Sequence, residues 1–262
     1  MVLAKMFKSF FGDQTHRVGL ALGGGAAMGA AHVGVLRAID ELNIKIDYIS
    51  GTSIGGFVGA FYAFGMNWEK ISVIASQLRW IDVTSVALSR YGLLSHEKIK
   101  NLIVRHLGDV NLEDARIPLA MTATDATSGA KVVLDKGSVI TAVLATTCVP
   151  GIFKPVVSGD KMLLDGGIVE NVPVDTVRAM GADYVIAVDL HSKQKFAKPK
   201  DILDVLFNSY NFIRRTSAEL QTRETDILIQ PDLSDFNLTD TSRIAELQEA
   251  GYSAALDLLM RR

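Results

Sequence analysis

Ser53 lies between two glycines in the run Gly51-Thr52-Ser53-Ile54-Gly55, with apolar residues on both sides. A serine so spaced, where a strand turns sharply into a helix, can serve as an exposed nucleophile. The turn forces an unusual backbone angle, and glycines two residues away remove the clash larger neighbours would cause. A helix beginning at Ile54 aims its unpaired N–H groups and positive dipole end at the same point. The run Gly23-Gly24-Gly25-Ala26-Ala27-Met28-Gly29 offers a second chemistry, a row of backbone N–H donors fit for a phosphate or an oxyanion. The residues alone do not choose between these anions, and a tight packing turn with no ligand is the plain alternative. They do disfavour a dinucleotide. A G-x-G-x-x-G pattern from Gly23 meets Met28, one from Gly24 meets Ala26, and Ser50 rather than an acid ends the next strand.

The third group is Asp165-Gly166-Gly167, directly after the apolar stretch 161–164. An aspartate is ordinarily too acidic to act as a base at neutral pH, but burial in an apolar site raises its pKa towards the useful range. The alternative is a turn aspartate bonded to its own backbone. Among the five histidines, His32 sits amid alanines and reads as packed, while His16, His96 and His106 lie in polar, surface-like contexts. His191 is the rival base, because the order Ser53, Asp165, His191 is that of an α/β-hydrolase triad. Cys148 has no neighbouring cation to lower its pKa and reads as buried filler. Asp125 and Asp189 end strands and read as turn or capping residues.

These groups need elements to hold them. Strand patterns fall at 17–22, 46–50, 117–123, 131–134, 161–164, 183–190 and 226–230. Helical patterns fall at 28–42, 54–64, 68–78, 96–107, 174–180, 202–224 and 242–260. Alternation of this kind is the mark of an α/β protein with a mostly parallel sheet. The uncharged stretches 18–36 and 48–68 are interrupted by glycines and polar residues, so they read as strand, turn and buried helix rather than membrane spans. Ile202, Val205, Leu206, Phe212 and Ile213 recur at helical spacing and could face the core, an acyl chain or a partner subunit, with the core as the default expectation. Tyr91, Leu93 and Leu94 are candidates to line an acyl pocket.

Taken jointly, the glycine loop running into Ala31-His32-Val33-Gly34-Val35-Leu36, the Ser53 pentapeptide, the stretch from Ala145 to Pro155, and Leu164-Asp165-Gly166-Gly167 with Asn171-Val172-Pro173-Val174 resemble the patatin-like phospholipase family. Order and spacing match from about Arg17 to Asp189, most closely to compact bacterial members. The resemblance implies a three-layer α/β/α sandwich with a mostly parallel central sheet. It also implies a serine acyl hydrolase, of esterase, lysophospholipase or phospholipase A type, with Ser53 and Asp165 as a catalytic dyad. The oxyanion would be held by backbone N–H groups of Gly24, Gly25 and Ala26, supported by Gly23, Gly29, Gly51, Gly55, Gly166 and Gly167. No metal or organic cofactor is implied, and the substrate would be a phospholipid or lysophospholipid. One departure stands out: the family usually has Arg or Lys where this chain has Met28. It favours the remaining alternative, a non-catalytic lipid binder of the same fold.

Composition narrows the field further. With 262 residues, 48% of them hydrophobic, the chain can bury one large core. A net charge of -2 without a dense basic run argues against nucleic acid as partner. One cysteine and no secretory pattern at the start point to a reducing cytoplasm. Val2, Leu3, Met6, Phe7, Phe10 and Phe11 recur at helical spacing around Lys5 and Lys8. They make residues 1–11 either an N-terminal helix packed on the domain or a candidate peripheral contact with the inner membrane face. We therefore expect an amphipathic segment over 1–16 and a patatin-like hydrolase domain over 17–262, with oligomerisation left open.

Overall fold

The structure, a computed structural model, describes residues 16–77, 86–89, 92–94, 96–191, 198–200, 202–236 and 242–261. The amphipathic segment 1–11 lies outside them, as do Tyr91 and the side chains of Leu93 and Leu94. The strands are β1 (Val18–Leu22), β2 (Tyr48–Thr52), β3 (Val86–Ser89), β4 (Gly92–Leu94), β5 (Leu119–Asp125), β6 (Lys131–Leu134), β7 (Gly151–Phe153), β8 (Val156–Ser158), β9 (Lys161–Asp165), β10 (Tyr184–Val188) and β11 (Ile227–Ile229). The helices are α1 (Ala30–Glu41), α2 (Ile54–Ala63), α3 (Trp68–Gln77), α4 (Glu97–His106), α5 (Val139–Thr146), α6 (Val174–Ala179), α7 (Ile202–Gln221) and α8 (Ile244–Met260).

The main sheet has the order β11-β10-β1-β2-β5-β9-β8, with β6 on the other edge of β5. From β11 to β5 every pairing is parallel, whereas β5–β6, β5–β9 and β8–β9 are antiparallel. The expected parallel sheet thus ends at β5. Beyond it the links β5–β6 and β8–β9 are hairpins, too short for a crossover helix.

The central strands β1, β2, β5 and β10 are buried on both faces, and alternate residues serve separate cores. Val18, Leu20 and Leu22 of β1 join Ile186 and Val188 of β10 beneath α1, α2 and α8. Ala21, Val185 and Ala187 face the opposite way, towards Val174 and Val177 of α6 and Ala218 of α7. Helices on both faces of one sheet give the expected three layers. The stretches 18–36 and 48–68 resolve into strand, turn and helix, and among the described residues no helix is long and apolar enough to cross a membrane.

Helix α5 was not legible from periodicity. Val139, Ile140, Thr141 and Val143 are β-branched and form helices poorly. Its N-terminus is capped by Ser138, which accepts a bond from the Thr141 N–H at 3.4 Å, and Val139, Ala142 and Val143 are buried in the main core. Packing overrides propensity here.

Ile49 is fully buried in β2, between the sheet and α2. Ile49→Ala should lower unfolding free energy by about 2–5 kcal/mol, read by denaturant titration. A loss well under 1 kcal/mol would mean that β2 is not a central core strand.

Candidate active site

β2 ends at Thr52, and Ser53 follows with φ 55° and ψ −124°, left-handed backbone that a residue with a Cβ rarely adopts. The next residue opens α2. The turn is held from both sides. The Ser53 N–H donates to Thr146 Oγ1 on α5 at 2.8 Å. Gly55 packs so closely on the end of β1 that a Cβ there would overlap the Leu22 carbonyl. The expected elbow is present, with the Ser53 side chain almost wholly enclosed.

β5 brings the acid to the serine. Along one edge Thr122 pairs with Thr52 of β2, and the next residue, Ala123, pairs with Asp165 of β9. Because β2 runs parallel to β5 and β9 antiparallel, their C-terminal ends meet head to head. Thr52 Oγ1 strengthens the junction by donating to the Glu170 carbonyl at 2.8 Å, and Asp165 N–H donates to the Cys148 carbonyl at 2.8 Å.

Asp165 is fully buried. Burial pushes its carboxyl above the usual aspartate value, while the Arg214 charge, the Ser53 hydroxyl, the Gly167 N–H and the Tyr210 hydroxyl pull it back. Oδ1 accepts the Gly167 N–H at 2.7 Å, so the turn bond expected as the alternative exists alongside the approach to Ser53. Oδ2 makes no well-formed hydrogen bond. A carboxylate with one oxygen anchored and the other open can take a proton.

The glycine loop lies opposite, in the turn Ala26–Gly29. Its carbonyls are tied back. His32 is buried, and its Nε2–H donates to the Gly23 carbonyl at 2.7 Å. The His191 ring lies against the Gly24 carbonyl and the Asn211 side chain, with neither ring nitrogen in a well-formed bond. Gly24 departs from the expected donor row, because its N–H donates to the Asn171 carbonyl at 3.1 Å. The N–H groups of Gly25 and Ala26 make no hydrogen bond to described residues, and Ala26 has φ 50°. Two of the three described non-glycine residues with positive φ are therefore at this site.

The other candidates fall into place around it. His191 is buried with the Gly24 carbonyl and the Asn211 side chain against its ring, and burial and the Arg214 charge keep it well below the usual histidine value; Asp165 is not among the groups that shift it. Cys148 is buried, its thiol pushed up to about 12 by burial and by Asp165. Asp125 accepts from Thr127 N–H and Ser128 Oγ, and Asp189 from His191 N–H, as turn residues do. His96 departs from the surface expectation: it stacks on Phe153, and burial lowers it to about 4. Met28 is fully buried in the main core. Among the described residues no group of His, Cys, Asp or Glu is gathered to ligate a metal ion.

α7 carries residues that periodicity misassigned. Ile202, Val205, Leu206, Phe212 and Ile213 face outward, each more than two-fifths exposed. The inward face holds Tyr210, Arg214, Ala218 and Gln221, which recur at i, i+4, i+8 and i+11. Gln221 accepts the Val172 N–H and donates to the Val169 carbonyl, both at 3.0 Å. A polar row at helical spacing was the available signal, masked by the more apolar opposite face.

Fold and site together define an α/β sandwich in which a serine elbow and an acid-tipped strand meet beneath a glycine loop. Residues 20–178 match the patatin-like phospholipase family, and the chain belongs to it. It is 29% identical over 280 residues to Lysophospholipase NTE1 of Pyricularia oryzae, covering 93% of this chain and 18% of that protein. It is 34% identical over 188 residues to an NTE family protein of Mycobacterium tuberculosis, covering 70% of this chain and 51% of that one. It is 30% identical over 283 residues to patatin-like phospholipase domain-containing protein 7 of Rattus norvegicus, covering 93% of this chain and 21% of that one. The chain thus spans from under a fifth to about half the length of these relatives. The crystal structure of VipD from Legionella pneumophila shares the fold at TM-score 0.62 and 14% identity, over 94% of this chain and 67% of that chain.

Burial also makes the site sensitive to acid. It lowers His32 from 6.5 to about 4, so the native state refuses a proton that the unfolded chain accepts. The stability contributed is present above pH 6.5 and is lost as pH falls towards 4, on the order of 3 kcal/mol. Denaturant unfolding at about pH 7 and pH 4.5 should show a smaller difference for His32→Gln than for the wild type. An unchanged difference would place the acid sensitivity elsewhere.

Proposed function

We propose that this chain is a serine acyl hydrolase that cleaves acyl esters of phospholipids or lysophospholipids through Ser53 and Asp165. The observation that carries the reading is the head-to-head meeting of β2 and β9 on adjacent positions of β5, which sets a strained serine beside a buried carboxylate. In the reaction the Ser53 Oγ attacks the ester carbonyl carbon as Asp165 takes its proton. The oxyanion is held by the N–H groups of Gly25 and Ala26, while Gly24, through its bond to Asn171, orients the loop. Collapse expels the alcohol, which takes the proton back from Asp165. Water, giving its proton to the same carboxylate, then attacks the acyl-enzyme, and collapse breaks the acyl–Oγ bond, returns that proton from Asp165 to Ser53 Oγ and frees the fatty acid.

Family membership and the lysophospholipase names of relatives support the lipid substrate. The single cysteine is consistent with a cytoplasmic setting, and residues 1–11 would supply contact with a membrane surface. The intact serine and acid favour turnover over the lipid-binding alternative. The place of the His191 ring, against the Gly24 carbonyl and the Asn211 side chain, favours a supporting role for that residue over a triad.

Ser53→Ala and Asp165→Asn should each lower hydrolysis of p-nitrophenyl butyrate by several powers of ten, whereas His191→Gln loses far less. In the wild type the acid limb of kcat/KM against pH should lie above the ordinary aspartate range, because burial raises Asp165 and only its ionised form is a base. Loss of activity by folded His191→Gln as complete as that of Ser53→Ala would make the triad correct.

A further inference from the structure

Arg214 is the largest fully enclosed side chain among the described residues, 2% exposed. Its Nε–H donates to Asn171 Oδ1 at 2.8 Å and its Nη1–H to Asn211 Oδ1 at 3.4 Å, while Nη2 has no hydrogen-bond partner among the described residues. Its guanidinium lies 5.1 Å from the centre of the Tyr210 ring. Both hydrogen-bond partners are neutral amides. Taking a guanidinium out of water costs several kcal/mol unless it is well paired, and an apolar side chain of similar size would usually serve stability as well or better. The charge therefore asks for a reason beyond packing.

Its surroundings supply one. A Cβ on Gly24 would overlap Arg214 Nη2 and stand 2.8 Å from Asn171 Oδ1. A Cβ on Gly167 would stand 2.8 Å from Arg214 Nε, 2.9 Å from Tyr210 Oη and 3.0 Å from Asp165 Oδ1. The two glycines leave a cradle, one wall from the glycine loop and the other from the Asp165 loop, and the guanidinium fills it. Asn171 completes the link, since its carbonyl accepts the Gly24 N–H at 3.1 Å while its side chain accepts from Arg214. The loop itself carries no cation: Met28 is buried among apolar residues.

We propose that Arg214 is a positioning residue for acyl transfer: it braces the Gly24 loop against the Asp165 loop and sets a positive charge near the Asp165 carboxyl. This rests on the hydrolase reading above. The brace keeps the N–H groups of Gly25 and Ala26 in register with Ser53, and the charge favours the ionised carboxylate of Asp165. Removing the charge should make Asp165 easier to protonate, which moves the acid limb of the rate profile to higher pH. Packing alone would not move that limb.

The test compares wild type, Arg214→Gln and Arg214→Lys in full-length protein, with p-nitrophenyl butyrate turnover from about pH 4 to 9 and thermal melts as the folding control. Wild type must first turn over ester and form a fluorophosphonate adduct; if it does neither, the hydrolase reading fails. Given an active wild type, Arg214→Gln should lower kcat by at least about tenfold with KM within about threefold, and raise the acid limb by about one pH unit. Arg214→Lys keeps a cation but not the fork, so the limb should stay and kcat recover only in part. A folded Arg214→Gln with an unmoved acid limb overturns the proposal, even if kcat falls. If Arg214→Gln does not fold, Arg214→Lys decides: reduced kcat with an unmoved limb supports the brace, and wild-type kcat overturns it.

Discussion

The backbone angle of Ser53 is the constraint on which the rest of the site depends. A left-handed serine costs of order 1–3 kcal/mol and persists only where its neighbours over-determine it. Here they do. β2 delivers the chain from the centre of the sheet, α2 carries it away, Thr146 holds the N–H, and Gly55 lets the helix press against the end of β1. In return the side chain stands at the C-terminal edge of the sheet, where β5 has already aligned the end of β9. The distance between serine and acid is thus a property of strand register. It is not left to a flexible loop.

Electrostatics follow from the same enclosure. The carboxyl of Asp165, the rings of His32 and His191 and the guanidinium of Arg214 are all removed from water. Each is kept in a useful form by its neighbours. The histidines stay neutral because burial lowers them, and His32 can then hold a carbonyl of the glycine loop without adding a competing charge. The carbonyls of Gly23 and Gly24 turn towards His32 and His191, the Gly24 N–H is taken by Asn171, and the N–H groups of Gly25 and Ala26 stay uncommitted among the described residues. A loop with its acceptors tied and its donors open is suited to a developing negative charge, because no reorganisation is needed when that charge appears.

Much of this was legible in the sequence. Serine between glycines at a strand end, a glycine run at the start of a helix and an aspartate before two glycines each carry their meaning locally, since each depends on turn chemistry within five or seven residues. The α/β class was legible for the same reason. What stayed hidden depends on distant partners. Gly24 looked like a donor until Asn171, far along the chain, took its N–H. The switch from parallel to antiparallel at β5 is set by short hairpins whose pairing edge no single segment reveals. Arg214 lies between Ile213 and Arg215, where a charged residue reads as solvated surface and its burial is visible only once α7 is docked. The apolar face of α7 misled in the opposite direction, since helical spacing tells that a stripe exists but not which way it turns.

The central claim is that the residue forced into the left-handed turn at the end of β2 is the nucleophile. Treating the purified protein with a fluorophosphonate, measuring its intact mass and mapping the modified peptide tests that claim most directly. The account predicts a single adduct, carried by Ser53 and formed more slowly as Asp165 becomes protonated. No adduct on folded protein, or an adduct on another serine with Ser53 unmodified, would contradict it.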